Sequence, residues 1–233
     1  GTVAAIAITA ATTALQYALA PGAPDAGRPA GIRTEGTLTG GAHAESFILG
    51  TYATDGALIA PPMTHGSDEG TPNAYLVYVV EIGSAPGHAV EGLFIDDEEA
   101  PIGASVDGPR GRPIGGRWTV DGEPYAWLKT YDGTQTSASA YLLNKHGNDD
   151  ERPWTADMIG AGISYAVLTF RYDREVFPQF PRVRFVVSGL ALYDISKDST
   201  AGGSGSHQWN NPSTWEQTAN PDVMIYNILR GIT

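Results

Sequence analysis

A chain of 233 residues with 42% hydrophobic and 17% charged residues has material for one large or two small packed domains and is not of disordered composition. Its formal net charge of -12 repels phosphate backbones, which speaks against a general nucleic-acid binder, although Arg110, Arg112 and Arg117 cluster into a local positive patch. It contains no cysteine, which removes disulfides, thiolate nucleophiles and Cys-ligated metals; Gly (29) and Pro (16) beside frequent Thr and Tyr point to short strands joined by turns.

The chain begins with Gly1 rather than Met, as a processed product or an excerpt would, and no targeting signal is legible. Residues 1–20 carry no charge and are rich in Ala and Thr. Their length suits a membrane span, but Ala and Thr are weak membrane formers and basic anchors are missing. The segment reads instead as a packed or interface helix, or as a helix plugging the channel of an oligomer. Residues 21–40 read as a Pro/Gly linker.

A β-rich domain is expected over 41–195. Phe47–Tyr52, Ala74–Ile82 and Ala89–Ile95 are candidate strands, the second being the clearest. With a turn at Gly83–Gly87 and an acidic turn at Asp96–Glu99, they read as a meander that continues into Ala100–Ile102. Residues 103–135 form a Gly-rich insertion whose Asp-Gly pairs favour tight turns. Short strands fit at Arg117–Val120, Tyr125–Tyr131 and Tyr141–Leu143. Asn144–Pro153 reads as a polar loop, and Trp154–Gly160 as one helical turn capped by Thr155. Ile163–Tyr172 and Arg182–Leu192 are strong strands, separated by a Pro-interrupted link at Asp173–Pro181. In the last portion, 196–233, a loop and helix that could lead to a further domain, Lys197–His207 reads as a flexible Gly/Ser loop. A helix follows, opened by Pro221 and ended by Gly231, with Val223, Ile225, Ile228 and Leu229 as its apolar side.

Chemistry-bearing residues lack the spacings that chemistry requires. His43, His65, His88, His146 and His207 contain no helical metal pair and read as surface or loop residues. Gly202–His207 superficially resembles an esterase elbow but lacks the strand–turn–helix frame. Asp96, Asp97, Glu98 and Glu99 are candidate calcium oxygens without calcium-loop spacing, and Asp149, Asp150 and Glu151 are the same; both read as solvated turns. Trp118, Tyr125, Trp127 and Tyr131 read either as a sugar-binding platform or as core and subunit interface. In the sugar reading, Asp121 or Asp132 would supply carboxylates for cleavage, and Trp127→Ala would abolish binding with the fold intact.

Three stretches occur in a telling order. AYLVYVVEIGSAPGHAVEGLFIDDEEAPI is strand, glycine turn, strand and acidic pair. RPWTADMIGAGISYAVLTFRYDREVFPQFPRVRFVVSGLALYD carries Trp154, Tyr172-Asp173, Val176-Phe177-Pro178, Pro181 and Tyr193-Asp194. QWNNPSTWEQTANPDVMIYNILRGI carries Trp209, Asn211-Pro212 and Ile228-Leu229. Over about Ala74 to Gly231 this order resembles the hub region of phage tail-tip proteins, the family of lambda-like tip attachment (host-specificity) proteins. TYATDGALIAPP resembles the family's early region, whereas 103–135 and 199–207 depart from its wording. The family's proteins are commonly far longer, so a shortened hub, a split product or a fragment is expected.

The resemblance implies a non-enzymatic structural protein of the virion, assembled in the host cytoplasm and placed in the tail tip of a siphophage. Its copies would form a homotrimer on the tail axis. That trimer would contact the distal tail protein and other tail-tip proteins, the tape-measure protein, and indirectly the tail fibre or host receptor. No catalytic, cofactor-binding or metal residue and no cofactor is assigned. The fold expected is mainly β, an antiparallel sandwich or barrel-like hub domain with an apolar N-terminal segment and a short C-terminal helix. The alternative is a carbohydrate-binding or glycan-cleaving tail-tip module.

Overall fold

A computed structural model describes residues 46–232; the expected helix over 1–20 and the linker over 21–40 lie outside the described residues. The described chain is mainly β and antiparallel. Its first strands are β1 (Thr51–Thr54), β2 (Ala57–Leu58), β3 (Met63–Asp68), β4 (Thr71–Gly83), β5 (Ala89–Ile95) and β6 (Glu98–Glu99). Next come β7 (Arg112–Pro113), β8 (Thr119–Val120), β9 (Glu123–Pro124), β10 (Ala126–Tyr131) and the helix α1 (Ala140–His146). The chain then forms β11 (Ser164–Arg171), β12 (Val183–Ser188) and the helix α2 (Pro221–Arg230). Neither helix is long and apolar enough to cross a membrane.

One main sheet runs β1-β12-β5-β6 and the other β2-β4-β11-β10-β7, with β3 sharing the β2 edge of β4, and β8 and β9 form a separate two-stranded sheet. The two sheets face each other as a sandwich and do not close into a barrel. The period of two along each strand builds the core between them. Leu76, Tyr78, Val80 and Ile82 of β4, Ala166, Leu168 and Phe170 of β11, and Leu128 of β10 meet Leu93 and Ile95 of β5 and Phe185 and Val187 of β12. Burying each of these larger side chains contributes about 1.5–3 kcal/mol.

The alternate residues of the central strands are buried as well. Val77, Val79, Tyr165 and Val167 on the outer face are covered by Tyr141 and Leu142 of α1 and by Trp154. Burial on both faces explains why β4 and β11 read as unbroken β-branched and aromatic runs. A third, smaller cluster, Leu190, Leu192 and Val223, seats α2 against the end of the sandwich, where Leu49 and Met224 pack on it.

Several local expectations are corrected. Tyr141–Leu143 is part of α1, because Ser139 accepts the Leu142 N–H at its N-terminus and Tyr141 and Leu142 lie on the face that covers the sheet. Trp154–Gly160 contains no helix; one hydrogen-bonded turn, Met158 N–H to Thr155 C=O, stands in its place. β4 and β5 are not a hairpin. The Gly83–Gly87 turn carries the chain from one sheet to the other, and β5 pairs with β12 while β4 pairs with β11. Arg117 and Trp118 belong to a 3-10 turn, and only Thr119–Val120 is strand.

Candidate functional site

The aromatic residues of the middle do not form a platform. Trp118 is fully buried in the core and Trp127 is 5% exposed. Tyr131 stacks on Tyr165 at 4.5 Å between ring centroids, and Tyr125 packs against the core with the Arg171 guanidinium over its ring. The carboxylates fare no better. Asp121 is an exposed turn residue at φ 52° between β8 and β9. Asp132 accepts hydrogen bonds from the Thr134 hydroxyl and N–H, which hold its carboxyl below the usual range and keep it ionised. A glycosidase general acid needs the opposite shift.

Of the expected positive patch, Arg110 lies over the Tyr75 and Trp127 rings and Arg117 is ion-paired. Arg117 ion-pairs with Glu98 at 2.8 Å and Asp96 at 3.6 Å, and Arg182 with Asp97 at 3.0 Å. The acidic turn is therefore an ion-paired surface. Asp149 turns its carboxylate onto the N–H groups of Glu151 and Arg152. Among the described residues no group of three or more His, Asp or Glu is placed to hold a metal ion.

Histidines expected at the surface are buried. His65, His88, His146 and His207 each expose 8% or less, and His43 lies outside the described residues. His65 and His146 meet beneath α1 with ring centroids 5.2 Å apart. Thr169 donates to the Tyr141 oxygen at 3.0 Å, and the same oxygen is hydrogen-bonded with His65 Nε2 at 2.8 Å. Arg110 lies over Tyr75 and Trp127. Burial, followed by the charges of His146, Lys145 and Arg110, lowers the pKa of His65 to about 3. Burial also lowers that of His146 and of His88.

This enclosed network holds α1 on the sheet and has an acid consequence. A depressed folded-state pKa means that the unfolded chain takes up more protons below about pH 6.5, so stability falls as pH drops through that range toward pH 3. The urea midpoint is expected to be lower at about pH 5 than at about pH 7.5, and His65→Phe is expected to flatten the difference. Equal midpoints for the native chain at both pH values would contradict the buried-neutral assignment.

The C-terminal portion is built around Tyr193. Lys197–His207 is a compact turn system. Asp198, 3% exposed, accepts from the Tyr193 hydroxyl at 2.7 Å and from Thr200, and the Tyr193 pKa is pushed up to about 12 by that bond. His207 accepts the Asp194 N–H at 3.0 Å. Trp209, Trp215 and Tyr226 surround the Tyr193 ring.

Asn227 of α2 clamps the Tyr193 backbone from both sides, accepting its N–H at 3.1 Å and donating to its C=O at 2.8 Å. Only Val223 of the expected apolar side faces inward. Ile225, Ile228 and Leu229 are 54%, 52% and 81% exposed, because Val223 and Asn227 define the docked face. Sequence reasoning passed over Asn227, since a polar residue in an amphipathic helix reads as solvent-facing; its i, i+4 spacing from Val223 is the signal that marks the inner side.

An outward aliphatic stripe on α2 thus lies on the surface of the described residues, together with Phe47 and Tyr52 at 48% and 63% exposure near β1. β1 pairs with β12 on one edge and has no partner strand on its other edge among the described residues. Large exposed aliphatics and an open strand edge are features of a surface that associates. Comparison with protein-family models, with curated proteins and with solved structures gives no match for this chain.

Proposed function

We propose that this chain is a non-enzymatic structural component of the tail tip of a long-tailed bacteriophage. It is the central hub that closes the tail tube and joins the distal tail protein to the host-recognition tip or fibre. The observation that carries the reading is the place of the resembling residues in the fold. Trp154 covers the outer face of the sheet, and Asp173 caps the turn after β11 through the N–H groups of Glu175 and Val176. Phe177 and Phe180 pack against the core, Tyr193 centres the C-terminal cluster, and Asp194 caps the Ser196 turn. That each resembling residue packs or caps a junction of the fold supports a structural reading.

The outward stripe on α2 and the open edge of β1 support assembly into a homotrimer whose contacts bury such surface; permanent interfaces take in roughly 2,000 Å² or more. The test is co-sedimentation with a distal tail protein of a long-tailed phage. Binding is expected for the native chain and loss of binding for the double variant Ile228→Glu, Leu229→Glu. The double variant is expected to unfold within about 0.5 kcal/mol of the native chain, since both side chains are exposed. A native chain that does not bind, or a double variant that binds as well as the native chain, would count against this reading.

A further inference from the structure

The described chain enters the sandwich through Ser46–Gly50, which lies between the Gly83–His88 turn and the end of β12. Ser46 and Ser84 exchange two hydrogen bonds, Ser46 N–H to Ser84 Oγ at 2.9 Å and Ser84 N–H to Ser46 C=O at 2.6 Å. Leu190 N–H donates to Ile48 C=O at 2.9 Å, and Gly189 N–H to Gly50 C=O at 2.6 Å. The remaining bond differs in kind: Ile48 N–H donates at 2.9 Å to Nε2 of the buried His88 ring.

The partners of His88 fix its protonation. Its Nδ1 lies 2.9 Å from Ala85 C=O, which only accepts, so Nδ1 carries the proton. Ile48 N–H only donates, so Nε2 is bare. A doubly protonated ring would place an N–H against an N–H. The fold makes room for this arrangement. A Cβ at Gly83 would sit 2.6 Å from His88 Cε1, and one at Gly189 would collide with the Ile48 carbonyl oxygen.

We infer that Ser46–Gly50 is held by an acid-releasable latch, in which neutral His88 accepts the Ile48 N–H and a second proton on the ring ejects the segment. The inference stands apart from the tail-hub reading. The ring borders a cavity of about 460 Å³ whose lining includes His88, Arg112, Thr130, Tyr131 and Asp132. The charged groups that share this cavity with the ring are Arg112 on β7 and Asp132 after β10. Glu81 on β4 acts at one remove, accepting the Ser84 hydroxyl proton at 2.6 Å. Burial is the largest influence on the ring and keeps it neutral, offset by the bond to Ala85. The latch is therefore closed at neutral pH and strained below the ordinary histidine range, near pH 6.5.

The chain has no cysteine, so Phe47→Cys offers a unique position, 48% exposed, for a nitroxide label. Electron paramagnetic resonance is expected to show a restricted label at about pH 8 and a reversible mobile fraction below about pH 6. Far-UV circular dichroism should hold constant over that step, separating release from global unfolding. In His88→Gln the step should vanish. The ring-nitrogen shifts of the native chain should report a proton on Nδ1 and a bare Nε2 at about pH 8, a readout independent of any variant. A label equally restricted from about pH 8 to pH 4.5 overturns the latch, as does a step that survives in His88→Gln or a ring protonated on Nε2 at about pH 8.

Discussion

Asn227→Ala is expected to lower stability by about 2–4 kcal/mol, because it strands two buried backbone groups at once. The amide bridges the N–H and C=O of Tyr193, and its Nδ2 also donates to Val223 C=O within the helix. Truncation leaves the Tyr193 groups in a cluster too dry to hydrate them. α2 should then detach before the sandwich unfolds, since its apolar anchorage rests on Val223 with Met224 and Ile232 beside it. Asn227→Asp should fall between, retaining an acceptor for the Tyr193 N–H and losing both donated bonds. Urea unfolding followed by tryptophan fluorescence, in native and Asn227→Ala chains that keep Trp209 and Trp215 but carry Phe at positions 118, 127 and 154, and by far-UV circular dichroism would resolve the two steps. An Asn227→Ala chain with unchanged midpoints would show that the clamp contributes little.

Trp127→Ala is expected to cost about 3–5 kcal/mol, the range for removing a buried indole. The ring lies on the outer face of β10 with the Arg110 guanidinium 4.9 Å from its centroid, and its Nε1 donates to Asp107 at 3.4 Å. The loss would be felt in the Gly-rich stretch, since Asp107 and Arg110 belong to it. A sugar-binding platform makes the contrary forecast, a stable fold with loss of glycan binding. Thermal unfolding of this one variant separates the two: a midpoint within a degree or two of the native chain would reopen the platform reading.

The long strands were legible because both faces of β4 and β11 are buried, so their residues need no alternation and stand out as β-branched and aromatic runs. β5 is found at its expected bounds, and β10 and β12 lie within theirs, as short apolar runs bounded by turn residues. Legibility ended where a partner distant in sequence decides. The turn at Gly83–Gly87 has hairpin composition, yet His88 and Ser164 tie it between sheets through contacts across 76 residues. Tyr141–Leu143 is a short apolar run that fits either period, and the Ser139 cap with the sheet beneath it selects helix. The histidines looked peripheral because each has loop-like neighbours in sequence, while their partners, Tyr141, Ala85 and Ile48 among them, become visible only in the folded chain. On α2 the expected apolar side is split: Val223 faces inward beside the Asn227 clamp, whereas Ile225, Ile228 and Leu229 face outward. That outward face is a surface through which the chain can associate.

The most direct test is the molar mass of the purified chain by light scattering, over a range of concentrations and with the neighbouring tail-tip proteins added. The hub reading predicts a trimer of the 24.6 kDa chain, or its incorporation into a closed ring with those proteins. A monomer that persists at every concentration and does not associate with them would contradict it.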